Sequence, residues 1–320
     1  MPRWAMRVLV GVCSFVVVAA FAGAGYQWLA TLKDLAATPP PGRLVDIGGH
    51  RLHLWCTGDG APVVILDTGL GSTTAAWGFV QPDVARFTRV CSYDRAGLGY
   101  SDAGPTPRTA RRMASELAAL LDRGGIGGPV VLVAASSGGF NVRVFASDHP
   151  ERAAALVLVD ASHEDQPHDI PRLATFVPLL ARVGVLRLLG ISFDLRGDTL
   201  APSTRRFARA TRFRAAGYGA AAGEIMHIRE SATEVRNSRR MLSIPVVVVT
   251  GARRADAAWH GLQRDLVTLS ERGCQIIVPD AGHVVAIDQP QVIVTAIRSV
   301  VEMTRGRSDV PLCSTRPAGG

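Results

Sequence analysis

Apolar positions along this chain fall into three regimes. Residues 8–32 carry no charge and follow Arg3 and Arg7. From residue 44 onward, short apolar runs alternate with longer stretches of helical period. The runs at 44–47 and 52–56 flank Gly48-Gly49, a hairpin signal. Further runs at 63–67, 89–93, 130–133, 156–159, 246–250 and 275–278 are rich in Val and Leu with little alternation. Strands buried on both faces read this way. Helical stretches are predicted near 75–86, 106–123, 138–149 and 290–304. An opening hairpin followed by β-α alternation predicts a mostly parallel, eight-stranded sheet with helices on both faces. The third regime is an interval of more than 80 residues between the runs at 156–159 and 246–250. A simple crossover needs far fewer. Its paired leucines and Arg-rich stretch predict a helical cap inserted at about 163–242, within a domain spanning 44–304.

The run at 8–32 is long enough to span a bilayer, which takes about 20 apolar residues. Arginines on its amino side predict that this end is cytoplasmic and that the rest lies outside. A cleaved signal peptide is the rival reading, since Ala20-Phe21-Ala22 and Ala22-Gly23-Ala24 fit small-x-small cleavage sites. A retained anchor over 1–35 is favoured, because the run continues into Tyr26, Gln27, Trp28 and Leu29, which suit a membrane–water interface. Residues 36–43 read as a stiff Pro-rich linker, and 305–320 as a loose polar tail.

Charge adds little to this picture. The chain has 35 basic against 27 acidic residues, and all the basic residues but Lys33 are Arg. They are interleaved with acids, with no basic block bearing aromatics, so nucleic acid is not an expected partner. An anionic membrane surface is compatible with the balance. Cysteine usage fits export. Cys13 lies in the apolar run, leaving Cys56, Cys91, Cys274 and Cys313 as an even set that permits two disulfides in three pairings. None has the close spacing of a zinc site, and no metal or organic cofactor is expected.

The candidate chemistry centres on residues 130–145, where a Val-rich strand runs into Ala134-Ala135-Ser136-Ser137-Gly138-Gly139 and then a helical stretch. A nucleophile on a sharp strand-to-helix turn needs small neighbours, because the backbone there is crowded. A bare small-x-Ser-x-small pattern fits Ser136 or Ser137. Two further clusters follow strands: Asp160-Ala-Ser-His163, and Asp280-Ala-Gly282-His283. The Gly-rich loop Thr68-Gly69-Leu70-Gly71 lacks the Lys and Ser/Thr of a phosphate-binding P-loop.

Over about residues 43–304 the sequence resembles the α/β-hydrolase family. That family's elbow is commonly Gly-His-Ser-x-Gly-Gly, and the paired glycines here select Ser136 as nucleophile. Ala134 and Ala135 depart from the first two positions. The turn Asp94-Arg95-Ala-Gly97-Leu-Gly99-Tyr-Ser101-Asp102 also matches the family and is given a structural role. The family's chain order of Ser, acid, His implies His283 as base. It implies Asp256, after the run at 246–250, as the acid, with Asp160, one strand earlier, as the alternative. Backbone N–H groups of Leu70 and Ser137 are the implied oxyanion donors. In the family's strand order the second and fourth strands are neighbours, which implies a Cys56–Cys91 bridge and leaves Cys274 with Cys313. The expected function is cleavage of an ester through an acyl-enzyme, on a small-molecule ester or lipid-like substrate. Amide or carbon–carbon hydrolysis uses the same constellation, and a catalytically silent membrane-anchored binding protein is the alternative from another class.

Overall fold

The structure is a computed structural model that describes residues 2–192, 199–253, 256–307 and 311–313. Of the tail expected to be loose, 308–310 and 314–320 lie outside the described residues, as do 193–198 of the expected cap. Eight strands form one sheet: β1 (Arg43–Asp46), β2 (Arg51–Thr57), β3 (Val64–Asp67), β4 (Val90–Asp94), β5 (Val130–Ala135), β6 (Ala153–Val159), β7 (Val246–Gly251) and β8 (Gly273–Val278). Their spatial order is β1-β2-β4-β3-β5-β6-β7-β8. The β1–β2 and β2–β4 pairs are antiparallel, and every other pair is parallel. Crossing from β3 outward to β4 and back to β5 creates a switch point between β3 and β5. In open α/β sheets the loops beyond such a point are where ligands bind.

The helices are α1 (Arg3–Ala37), α2 (Gln81–Val84), α3 (Ala110–Arg123), α4 (Gly138–Asp148), α5 (Val177–Arg182), α6 (Val185–Leu188), α7 (Pro202–Thr211), α8 (Ala215–Met226), α9 (Ile228–Ser238), α10 (Ala257–Val267), α11 (Val285–Asp288) and α12 (Pro290–Thr304). The apolar strands feed two cores, one on each face. Along β5, Val130, Leu132 and Ala134 face the core built with α3 and α4, while Val131 and Val133 face the core built with α12. The period-two alternation of side chains thus buries both faces of one strand. Helix α3 starts at Thr109, whose hydroxyl accepts from the Arg112 N–H.

Cys56 and Cys91 are register partners on β2 and β4 and are disulfide-bonded, with Cα atoms 4.0 Å apart. Cys274 is bonded to Cys313 across 6.1 Å between Cα atoms.

Between β6 and β7 the described residues include the helices α5 to α9, after a non-helical stretch at 160–171. Helix α1 does not stand apart from this insertion. A stripe at positions 20, 23, 24, 27, 30, 31, 34 and 35 is covered, which is the i, i+3, i+4 face of one helix. The helix also continues to Ala37, into the segment expected to be a linker. Gln27, buried within an otherwise apolar run, donates to the Phe213 carbonyl at 2.5 Å and accepts from Arg187 Nε at 2.9 Å. Arg187 also reaches Asp34 at 2.6 Å and Thr31 at 3.2 Å. The rest of α1, including Val8, Phe15 and Phe21, is exposed.

Candidate active site

Three strand ends bring the candidate residues together. Ser136 follows β5 with φ of 51°, in the left-handed region. A non-glycine residue is held there only by surrounding structure. Ser137 has ordinary helical dihedrals and stands at the position before α4, with no side-chain cap bond. The residue at the strained apex is therefore Ser136. The glycines that follow are dictated by close approach. A Cβ on Gly138 would lie 2.5 Å from the Thr68 carbonyl oxygen, and one on Gly139 would lie 2.7 Å from the Ala161 Cβ.

His283 lies beyond β8, and its Nε2 is 3.1 Å from Ser136 Oγ. Its Nδ1 is 2.6 Å from Asp160 Oδ2. The other oxygen of Asp160 accepts the Trp259 indole N–H at 3.0 Å and the Gly251 N–H at 3.2 Å. Asp160 is fully buried and, at φ 42°, is the second non-glycine residue in the left-handed region. A carboxylate only accepts, so the proton between the pair sits on Nδ1, leaving Nε2 of the neutral ring to accept the Ser136 hydroxyl proton. The Trp259 ring stands edge-on to the imidazole at 6.2 Å between centroids.

The expected acid, Asp256, is elsewhere. It is exposed, and its Oδ1 accepts the Ala258 N–H at 2.9 Å as the cap of α10. The Asp256 carboxylate serves the start of α10, while β7 itself offers the Gly251 N–H to Asp160. The carboxylate beside His283 is Asp160, the alternative. The expectation for Asp256 is corrected accordingly. His163, which follows Asp160, turns away from the site and meets Asp265 at 2.8 Å through Nε2.

The loop after β3 lies against the serine. A Cβ on Gly69 would sit 3.1 Å from Ser136 Cβ and 3.6 Å from its Oγ. Among the described residues, neither the Leu70 nor the Ser137 backbone N–H has a protein acceptor. Leu70, Ser136 and His283 line a cavity of about 320 Å³ with Trp77, Val159 and Ala286. A neighbouring chamber of about 300 Å³ shares Leu70, Ser72, Ala76 and Val284, and is roofed by Leu200, Ala208 and Tyr218 from the helical insertion.

A buried ionic network holds that loop. Arg95 Nη1 donates to Asp67 at 2.7 Å and to the Thr68 carbonyl at 2.7 Å, while Nη2 donates to the Gly69 carbonyl at 2.9 Å. Glu224 of α8 closes the fork on Arg95 Nε and Nη2, both at 2.8 Å. Asp67 also accepts from Tyr93 and Asn141. Burial pushes the Asp67 carboxyl up, with Arg95 pulling against it. The turn that begins at Asp94 is thus the clamp of the loop over Ser136. Sequence reasoning missed the part of Glu224; its signal is a lone charge in the otherwise small and apolar helix α8.

The segment after Asp160 is braced as well. Gln263 donates to the Ala161 carbonyl at 2.7 Å. Arg143 grips Glu164 through both oxygens at 2.7 and 2.9 Å. Burial would raise the Glu164 carboxyl, but the hydrogen bonds and charge of Arg143 outweigh it and bring it down to about 2.

The comparisons with known proteins agree with this architecture. A family model for the alpha/beta hydrolase fold matches residues 61–187, which include the elbow and Asp160. An AB hydrolase superfamily protein of Gibberella zeae is 24% identical over 281 residues, covering 76% of this chain and 87% of that protein. A Hormonema carpetanum protein named as a transporter, efuK, is 36% identical over 129 residues. That match covers 38% of this chain and only 18% of the relative, so the chain spans under a fifth of its length. Among solved structures, the enol-lactonase of Burkholderia xenovorans superposes with a TM-score of 0.63 at 19% identity, over 81% of this chain and 99% of that one. The chain has the α/β-hydrolase fold, and residues 61–187 match that fold's family model.

Proposed function

We propose that this protein is a membrane-anchored serine hydrolase that cleaves carboxylic esters through an acyl-enzyme. The observation that carries the reading is the unbroken relay from Asp160 through His283 to Ser136 at the floor of an apolar cavity. In this reading Ser136 Oγ attacks the ester carbonyl as His283 Nε2 takes its proton. The Asp160 carboxylate holds the ring's tautomer and stabilises the imidazolium that forms. The N–H groups of Leu70 and Ser137 receive the developing oxyanion, which is the largest single contribution such a site makes. His283 returns the proton to the leaving alcohol. Water, activated by the same ring, then attacks the acyl-Ser136 ester and releases the acid. The predominantly apolar lining suits an ester whose acid or alcohol part is apolar. The enol-lactonase acts, by its name, on a cyclic ester, which is the same bond class.

Helix α1 is the anchor in this reading, with Arg3 and Arg7 on the cytoplasmic side and the catalytic part outside. The two disulfides fit an oxidising compartment. Hydrolysis of p-nitrophenyl acyl esters of increasing chain length by the full chain tests the activity. The expected result is turnover that Ser136→Ala abolishes and Ser137→Ala largely keeps, since the latter preserves the backbone donor. Loss of an essential nucleophile costs about 10⁶ in turnover. Turnover that survives Ser136→Ala refutes the proposal.

A further inference from the structure

The helical insertion meets α1 at a height that has consequences for where the protein sits. Counting about 20 residues from the first uncharged position, at 1.5 Å per residue, the bilayer core ends near Gln27. Yet the insertion touches α1 on the membrane side of that point. Gly23 packs so closely on the α5–α6 turn that a Cβ there would lie 2.3 Å from the Val183 carbonyl oxygen. A Cβ on Gly184 would in turn lie 2.9 Å from the Gly23 carbonyl oxygen. Gly23 is four residues before Gln27, about 6 Å along the axis. The contact is fixed in place by Arg187, which binds Gln27, Thr31 and Asp34 along the same face.

The surface of that segment is matched to such a depth. Leu173, Phe176, Leu179, Leu188, Leu189 and Ile191 are each more than half exposed, up to 73% for Leu173. Large apolar side chains exposed together on one short segment mark an interaction site. Arg172 and Arg182 are exposed among them, positioned for lipid phosphates. The opposite side of the segment is conventional core, with Ala181 and Leu186 packed on Tyr218, which lines the chamber beside the site.

We infer that the apolar face of α5, α6 and their flanks is seated in the interfacial layer of the same bilayer that α1 spans, so that the chamber leading to Ser136 stands directly on the membrane. The inference rests on the reading that α1 is a membrane anchor. The occupant of this face is the outer edge of the acyl layer, reached by a segment that packs directly on the anchor. Esters held in the bilayer then meet the chamber without crossing water.

The test places single cysteines in a Cys13→Ser background of the full chain, labels each with an environment-sensitive fluorophore, and reconstitutes the protein in phosphatidylcholine vesicles carrying brominated acyl chains. Labels at Leu179→Cys and Leu188→Cys are expected to be quenched by the brominated lipid and shielded from aqueous iodide. A label at Glu151→Cys, beyond α4, is expected to show the reverse, and one at Val12→Cys should be quenched by lipid. Quenching at 12 with iodide access at 179 and 188 overturns this inference alone. Iodide access at 12 overturns the anchor reading and this inference with it. A paired Leu179→Glu and Leu188→Glu variant supplies a second readout. It is expected to hydrolyse a soluble short-chain ester as the wild type does, and to lose about tenfold on a long-chain ester dissolved in the vesicles, the scale of one buried leucine. Equal rates on both substrates contradict the inference.

Discussion

The ends of β6 and β7 are neighbours in the sheet, and each leads to an aspartate, yet the two carboxylates have opposite surroundings. Asp160 follows β6 directly, is fully buried, and accepts from His283, Trp259 and Gly251. Asp256 lies five residues beyond β7, exposed, and caps a helix. The segment after β6 is braced by Gln263 and by the Arg143–Glu164 pair, whereas among the described residues Asp256 meets only the start of its own helix. A carboxylate becomes useful to a histidine when fixed donors replace the water it has lost. Position in the chain alone does not confer this. Besides His283, the donors to Asp160 come from β7 and α10, so the region around Asp256 does contribute to the acid position, through an amide and an indole.

The largest expected effect on this comparison comes from exchanging each carboxylate for its amide. Asp160→Asn should lower kcat on an acyl ester by about 10⁴, because the amide favours the wrong imidazole tautomer. Asp256→Asn should leave kcat within about twofold, since Asn caps a helix as well as Asp does. Steady-state kinetics of the two variants on one ester decide between the aspartates, and the reverse pattern would return the role to Asp256. A smaller effect is expected at the donor side. Trp259→Phe keeps an aromatic ring, though a smaller one, and removes the indole N–H, and should cost about tenfold in kcat, corresponding to about 1.4 kcal/mol for a hydrogen bond to a charged group. An unchanged kcat would show that the indole does not hold Asp160.

The brace after β6 makes a prediction in pH. Glu164 titrates near its ordinary value of 4.5 in the unfolded chain and at about 2 in the folded one. A carboxyl lowered on folding contributes stability that is fully present above the unfolded value and is lost as pH falls toward the folded one. Thermal stability should therefore fall as pH drops from about 4.5 to 2, and Glu164→Gln should flatten that part of the profile while lowering stability at neutral pH. A variant as acid-sensitive as the wild type would remove Glu164 from this role. The smallest expected effect is Asp256→Ala, about 1 kcal/mol of stability from the lost cap with activity unchanged.

Much of this was legible in the sequence, and the exceptions have physical causes. Each strand was visible to within a few residues, because Val- and Leu-rich runs buried on both faces leave a plain signal. Ser136 was visible through its glycines, whose missing Cβ atoms make room for Thr68 and Ala161. The sequence put Asp256 ahead of Asp160, the reverse of the arrangement beside His283, because both follow Val-rich strands and the deciding donors, Gly251 and Trp259, are 91 and 99 residues from Asp160 in the chain. Helix α10 was missed because Asp256 was read for chemistry and not as a cap. The docking of α1 was masked by its own uniformity: in a run that is almost wholly apolar, only Gln27 and Thr31 distinguish the face that meets the protein.

The central claim is that Ser136, activated by His283 and Asp160, is a working nucleophile. Labelling the folded full chain with a fluorophosphonate and locating the adduct by mass spectrometry tests it directly. The account predicts one adduct on the peptide containing Ser136, fragmenting to that residue, and absent from the Ser136→Ala variant. No adduct on the folded protein, or an adduct that persists in Ser136→Ala, would contradict it.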